Sequence, residues 1–256
     1  NLVRQIDTVS ALPEVDNQGI IRCYAEHLGI PADRLIAGNG TTQFIYSIPA
    51  VLKVNRALIV GPTYSDYADA CRLHGVSPEF FLCRESDDFR PDLAGLAEAA
   101  AGADTVFICN PNNPTGAFIP ADELKQLCRH RPQVRFIVDE SYLPFVADGE
   151  GQSLVRSGID NLLVLLSISK IYRIPGLRVG FLVASPATIA AFARGLWPWN
   201  VNQLGQAAVH FLCEAGPDLN AFTAETRSYL DVERRRFEQR LGCIPGLRVF
   251  PSPTSF

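Results

Sequence analysis

Ser167-Ile168-Ser169-Lys170-Ile171-Tyr172-Arg173-Ile174-Pro175-Gly176-Leu177-Arg178-Val179-Gly180 is the stretch on which the fold turns. One apolar run, Asn161-Leu-Leu-Val-Leu-Leu166, leads into it, and another, Val179-Gly-Phe-Leu-Val-Ala184, leads out. Each is short enough to be a strand buried on both faces. Pro175-Gly176 marks a turn between them. Lysine is rarely buried unpaired, so a lysine carried off the end of a buried strand has two readings. In one, Lys170 is a solvated side chain on a surface loop. In the other it is a Schiff-base lysine, with Arg178, Ser167 and Ser169 converging on a phosphate. The stretch alone does not choose between them.

The same grammar repeats upstream. Leu35-Ile-Ala-Gly-Asn-Gly-Thr-Thr-Gln43 reads as a short strand running into Gly38-Asn39-Gly40, and Thr41 or Thr42 is expected to cap the helix that follows through about Lys53, with Pro49 inside it. Strands are expected at 56–61, 78–83, 104–109 and 134–138, and helices at 65–73, 91–101 and 120–129. An earlier helix, Gln18–Leu28, stops at Gly29 with Pro31 beyond. From Pro186 the pattern is helical. Trp197-Pro-Trp-Asn-Val-Asn202 separates two helices, Asn200 or Asn202 caps the next to about 214, and Asp218 begins a long one to about 241. Leu247-Arg-Val-Phe250 reads as the start of a further strand. Alternating strands and helices over 35–184 predict a mostly parallel sheet with helices on both faces. Ligands of such sheets gather at the carboxyl ends of strands. Five polar clusters fall there: 38–42, Tyr64, 110–116, 139–142 and 167–178.

Composition narrows the class. The 256 residues are 47% hydrophobic and 20% charged, with net charge −4, which leaves no basic footprint for nucleic acid. No apolar run has the length of a membrane span, and no signal peptide is visible. The seven cysteines form no C-x-x-C pair. Cys23, Cys71, Cys109, Cys128 and Cys213 read as buried thiols of a cytoplasmic protein. His27, His74, His130 and His210 lack metal-ligand spacing. There is no methionine, even at position 1, and the chain stops at Pro251-Ser-Pro-Thr-Ser-Phe256, so residues are expected to be missing at both ends.

The clusters combine into one chemistry. A lysine nucleophile needs a neutral amine, which neighbouring cations favour, and Arg173 and Arg178 lie close by in sequence. A phosphate suits helix N-terminal amides and an arginine fork. Gly38-Asn-Gly-Thr-Thr42 offers the amides; Ser167, Ser169 and Arg178 offer side chains. A pyridinium nitrogen wants a carboxylate, and Asp139 ends a buried strand. A ring face wants an aromatic platform, for which Tyr64 is placed.

In these motifs the chain resembles the class I/II aminotransferases of pyridoxal-phosphate fold type I. The resemblance is carried by Gly38-Asn-Gly40, Pro62-Thr-Tyr64, Asn110-Pro-Asn-Asn-Pro-Thr-Gly116, Asp139-Glu-Ser-Tyr142 and Ser167-x-Ser-Lys-x-Tyr-x-Ile-Pro-Gly-Leu-Arg178, in that order and spacing. It implies pyridoxal 5'-phosphate as cofactor. Lys170 is then the Schiff-base lysine and proton shuttle, and Asp139 the partner of the pyridine nitrogen. Asn113 and Tyr142 bond the ring O3′, and Tyr64 stacks on the ring. Gly40, Thr41, Thr42, Ser167, Ser169 and Arg178 hold the phosphate. Asn110, Pro114 and Gly116 shape their loop, Cys109 packs a strand, and Arg173 has no role. The resemblance further implies a homodimer and a large domain over 31–210. It assigns 1–30 and 211–256 to a smaller α+β domain that is only partly present.

Two subfamilies fit. Ala37-Gly-Asn-Gly-Thr-Thr-Gln43, Ile174-Pro-Gly-Leu-Arg178 and Trp197-Pro-Trp-Asn-Val-Asn202 are more similar to threonine-phosphate decarboxylases of cobalamin synthesis than to histidinol-phosphate aminotransferases. The first release CO2 from a phosphorylated amino acid; the second exchange amino groups with 2-oxoglutarate. The arginine that grips the substrate carboxylate in this family is expected beyond Phe256, and most of the N-terminal arm before Asn1. Neither G-x-x-x-x-G-K-[ST] nor G-x-G-x-x-G is present for a nucleotide. A non-catalytic regulator of this fold would need an upstream DNA-binding domain, and the retained Lys170 and a pI of about 5.6 argue against it.

Overall fold

A computed structural model describes residues 2–256. The apolar runs become seven strands: β1 (Leu35–Asn39), β2 (Ala57–Gly61), β3 (Glu79–Leu82), β4 (Thr105–Cys109), β5 (Arg135–Asp139), β6 (Leu162–Ser167) and β7 (Val179–Val183). They form one sheet in the order β1-β7-β6-β5-β4-β2-β3. β7 runs antiparallel to both its neighbours; the other pairs are parallel. The mostly parallel sheet with helices on both faces is as expected.

The helices are α1 (Gln18–Leu28), α2 (Gly40–Val51), α3 (Asp66–Leu73), α4 (Leu93–Ala100), α5 (Ala121–His130), α6 (Pro186–Ala193) and α7 (Gln203–Gly242). Successive strand residues face opposite sides, so each side receives its own core. Leu58, Val106, Phe136 and Val164 meet α1, α4, α5 and the start of α7. Ile59, Phe107, Ile137 and Leu163 meet α2, α3 and α6. Burial on both sides is why the strand sequences are continuously apolar rather than alternating.

Local sequence explains several helix ends. Gly29 closes α1 in the left-handed conformation at φ 66°. Asp92 caps α4 by accepting from Ala94 N and Gly95 N, so that helix starts after Pro91 rather than at it. Asn202 caps α7 by accepting from Gly205 N at 2.9 Å.

Four expectations need correction. α2 starts directly at Gly40, with Asn39 as its N-cap and no side-chain cap bond, so Thr41 and Thr42 lie in its first turn and cap nothing. The two helices expected either side of 214–218 are one 40-residue helix, α7. Leu212 and Leu219 bury against the same core on either side of the apparent break and carry the helix through. Residues 247–250 form no strand. Phe250 packs on Phe89 instead, ring centroids 5.0 Å apart, and Arg248 pairs with Asp88 at 2.6 Å. Finally, Cys23 and Cys213 are not free thiols: a disulfide joins α1 to α7 across 190 positions. Cys71, Cys109 and Cys128 are free and buried. Among the described residues, no helix is long and apolar enough to cross a membrane.

Candidate active site

One edge of the sheet carries the carboxyl ends of β1, β2, β4, β5 and β6 and, because β7 is antiparallel, the amino end of β7. A single cleft opens there. Gly40, Thr41, Thr42, Tyr64, Asn113, Asp139, Tyr142, Ser167, Ser169, Lys170 and Arg178 all line it. The structure thus brings together every residue the motifs singled out for the site. Arg173 is exposed and does not line the cleft.

The cradle side is built from β1, β7 and α2. The register Asn39↔Val179 sets Arg178 beside Gly40 at the start of α2. Gly40 has φ +70°, and a β-carbon on it would collide with the Arg178 guanidinium. Gly180 is bound by the same crowding, since a β-carbon there would collide with the Thr41 amide. Ser167 and Ser169, both buried, share a hydrogen bond of 2.8 Å between their hydroxyls. Helix-start amides, a guanidinium and two hydroxyls in one corner make a site for a small anion.

The floor is Asp139, 5% exposed. Its Oδ1 accepts from Ser141 N at 2.9 Å and its Oδ2 from Tyr67 Oη at 2.9 Å. Burial pushes its carboxyl above the usual range; bonds from Ser141 and Tyr67 and the charge of Lys170 pull the other way. A buried carboxylate with two donors already in place is oriented for a further cationic or N–H donor from the cleft. Lys170 stands on the open side, its Nζ 5.7 Å from the centroid of the Tyr142 ring. Burial raises the Tyr142 phenol, with Cys109 and Asp139 adding to the effect. Phe256 meets the Tyr142 ring edge-on at 4.8 Å.

Tyr64 forms a wall and donates its hydroxyl to Asp66 at 2.7 Å. Asn112 stitches the neighbouring loops: it accepts from Thr63 Oγ1 at 2.6 Å and donates to Pro62 O at 2.8 Å. Asn110 exchanges bonds of 2.9 and 2.8 Å with Ile119 and so shapes its loop, as expected. Gly116, at φ +72°, is pressed against Ser252.

Sequence reasoning misses three lining residues: Tyr67, Cys109 and Ser141. Tyr67 lies in the first turn of α3, three positions after Tyr64, and the two rings meet edge-on at 5.7 Å. Cys109 lines the cleft as well as packing its strand, and burial pushes its thiol up to about 12. Ser141 acts on Asp139 through both its hydroxyl and its backbone N–H.

The set suits a flat, phosphate-bearing heterocycle with a basic ring nitrogen over Asp139 and a carbonyl within reach of Lys170. Comparison with known proteins points the same way. The profile of aminotransferase class I and II matches residues 6–256. The threonine-phosphate decarboxylase of Salmonella typhimurium is 32% identical over 259 residues, covering 100% of this chain and 70% of that protein. A histidinol-phosphate aminotransferase of Desulfitobacterium hafniense is 30% identical over 253 residues, covering 95% and 68%. The crystal structure of L-threonine-O-3-phosphate decarboxylase from Porphyromonas gingivalis superposes with a TM-score of 0.85 at 27% identity, covering 99% of this chain and 78% of that one.

Proposed function

The chain belongs to the class I and II aminotransferase family of enzymes, and on that premise we propose that it binds pyridoxal 5'-phosphate and decarboxylates a phosphorylated amino acid of the threonine-phosphate type. The observation that carries the cofactor is the convergence of Lys170, Asp139 and the Gly40–Arg178 cradle on one cleft. The substrate class rests on the similarity, along the whole of this chain, to the Salmonella decarboxylase. Transamination of histidinol phosphate with 2-oxoglutarate is the alternative, supported by the Desulfitobacterium relative.

When bound, the cofactor supplies an electron sink for a bond broken at the substrate Cα. The protein's part is positional. Gly40, Thr41 and Thr42 at the start of α2, with Ser167, Ser169 and Arg178, hold the phosphate. Asp139, steadied by Tyr67 and Ser141, keeps the ring nitrogen protonated. Asn113 and Tyr142 bond the ring oxygen, and Tyr64 covers one face. Lys170 anchors the cofactor through Nζ and carries the proton at Cα. Which Cα bond breaks depends on what grips the substrate carboxylate. In this reading residues 31–210 form the cofactor-binding body, 1–30 and 211–256 belong to a smaller unit, and the enzyme works as a cytoplasmic homodimer in cobalamin synthesis.

The test is to add O-phospho-L-threonine to the cofactor-loaded protein and analyse the products by mass spectrometry. Aminopropanol phosphate with CO2 is expected. Conversion of the cofactor to its amine form by glutamate or histidinol phosphate, without CO2, would establish the alternative. Lys170→Ala should lose the coloured covalent adduct; a variant that kept it would overturn the assignment of Lys170.

A further inference from the structure

The segment that bears Lys170 is a wall between two spaces. Ser169 and Lys170 face the cleft described above. Ile168 and Ile171, 2% and 3% exposed, face the other way, into a second cavity of about 470 Å3. That volume lies within the range of small-molecule sites, about 300–1,000 Å3. Leu143 and Val155 extend the apolar floor, and the Tyr24 and Tyr172 rings stand beside it. α7 forms the opposite wall through Thr223 and Arg227.

The cavity's hydrogen-bonding capacity is unevenly used. Buried Glu140 is satisfied: its two oxygens accept from Ser153 Oγ at 2.6 Å and Leu154 N at 2.7 Å. Two arginines line the cavity, each anchored by Nε to a backbone carbonyl at 2.7 Å: Arg156 to Leu28 and Arg227 to Pro144. Those bonds fix the guanidinium planes and leave the Nη groups over. Among the described residues neither arginine makes an ion pair. Glu150, the other acid on the lining, is exposed at the rim. Among the acids and arginines of the lining, the unmet capacity is therefore on the donor side, beside an apolar floor.

We propose that this cavity is a second binding site, for a small organic anion. Its apolar body would lie on the Ile168–Ile171 floor, and its carboxylate or phosphate head would be held by Arg156 and Arg227. The site lies behind the catalytic cleft, with Ser167 lining both, and stands whether or not the proposed reaction does.

The test is ligand-observed saturation-transfer NMR on protein saturated with pyridoxal phosphate, so that the Arg178 cradle is filled. Phenylacetate and phenyl phosphate are the probes, and 2-phenylethylamine is the control of opposite charge. Saturable binding of at least one anion, with a dissociation constant of about 1 mM or tighter, is expected. The probe that binds more tightly identifies the head group. Arg156→Gln and Arg227→Gln should each weaken binding about tenfold. Thr223→Trp, which sets an indole over the cavity from α7, should abolish it while leaving both arginines in place. Arg156 is exposed and Thr223 and Arg227 are half-buried, and unchanged melting temperatures would show that the fold is kept. No saturable binding, equal binding of the amine, or binding unchanged in all three variants would overturn the proposal.

Discussion

Tyr67→Phe removes one oxygen from the buried end of the cleft and leaves nearly everything else. The Tyr67 ring stacks on Phe107 at 5.6 Å and meets Tyr64 edge-on at 5.7 Å, contacts that phenylalanine keeps. What goes is the bond from Tyr67 Oη to Asp139 Oδ2, with the hydroxyl's contact to Cys109. A hydrogen bond to a charged group contributes about 1.5–3 kcal/mol. Tyr67 favours the ionised form of Asp139, so without its hydroxyl the carboxyl should rise further above the usual range. Burial already holds it high, and Ser141 and Lys170 alone would then oppose that. Asp139 becomes protonated at a pH where the parent is ionised, and a neutral acid cannot hold a proton on the ring nitrogen. Cofactor affinity should fall roughly tenfold near neutral pH and recover as pH rises and the carboxyl ionises. Two assays follow this: absorbance titration of apoprotein with pyridoxal phosphate across pH, and 13C NMR of labelled aspartate. An unchanged Asp139 titration, or an affinity loss that does not recover with pH, would refute the reasoning.

Gly40→Ala should weaken cofactor binding at least tenfold. The left-handed backbone alone costs about 1–2 kcal/mol for alanine, and the new methyl displaces the Arg178 guanidinium; parental affinity for the cofactor would show that the cradle lies elsewhere. Glu140 carries a pH dependence. Burial raises its carboxyl to about 7 from 4.5. A raised folded pKa contributes stability that is full below the unfolded value and lost as pH climbs to the folded one, here about 3 kcal/mol between about pH 4.5 and 7. Urea midpoints at about pH 5 and pH 8 should differ less in Glu140→Gln than in the parent; an equal gap would exclude Glu140 as a cause. Asn161 donates to the carbonyls of Cys128, Arg131 and Val134 at 3.0, 3.0 and 2.8 Å. Asn161→Ala should therefore cost about 2–3 kcal/mol in urea unfolding, with cofactor binding unchanged; a loss below about 0.5 kcal/mol would count against the staple.

Much of the fold is legible in the sequence because both sheet faces are covered. Runs such as 105–109 and 162–166 are almost wholly apolar, and each stops where a polar cluster begins, so the strand ends alone mark the cleft. Most of the features that sequence does not reveal share a cause: they depend on contacts distant along the chain. Asp218 looks like a local helix start, whereas the continuity of α7 rests on Leu212 and Leu219 meeting one core. Residues 247–250 alternate like a strand, but a strand needs a partner edge, and Phe250 and Arg248 meet Phe89 and Asp88 instead. The pairing of Cys23 with Cys213 follows from α1 lying against α7, which no spacing encodes. Within the cleft, what escapes the sequence is the support of Asp139, not its identity.

The antiparallel β7 explains why one short connection can supply both the amine and the guanidinium. In a wholly parallel sheet the residue before a strand lies at the edge opposite the site. At about 3.3 Å per residue, a five-residue strand would put Arg178 some 17 Å from the cleft. Reversing β7 sets its first residues against the last of its neighbours, Asn39↔Val179 on one side and Ser167↔Gly180 on the other. The chain leaves β6 at Ser167, presents Ser169 and Lys170, turns at Pro175-Gly176 and re-enters with Arg178, all at one edge. That return is crowded. Arg178 takes a left-handed φ of 51°, and Gly40 and Gly180 must be bare for the α2 start, Arg178 and β7 to meet. The strand reversal and the two glycines therefore work as a unit, and restoring a side chain at either glycine should disturb the cradle before it disturbs the sheet.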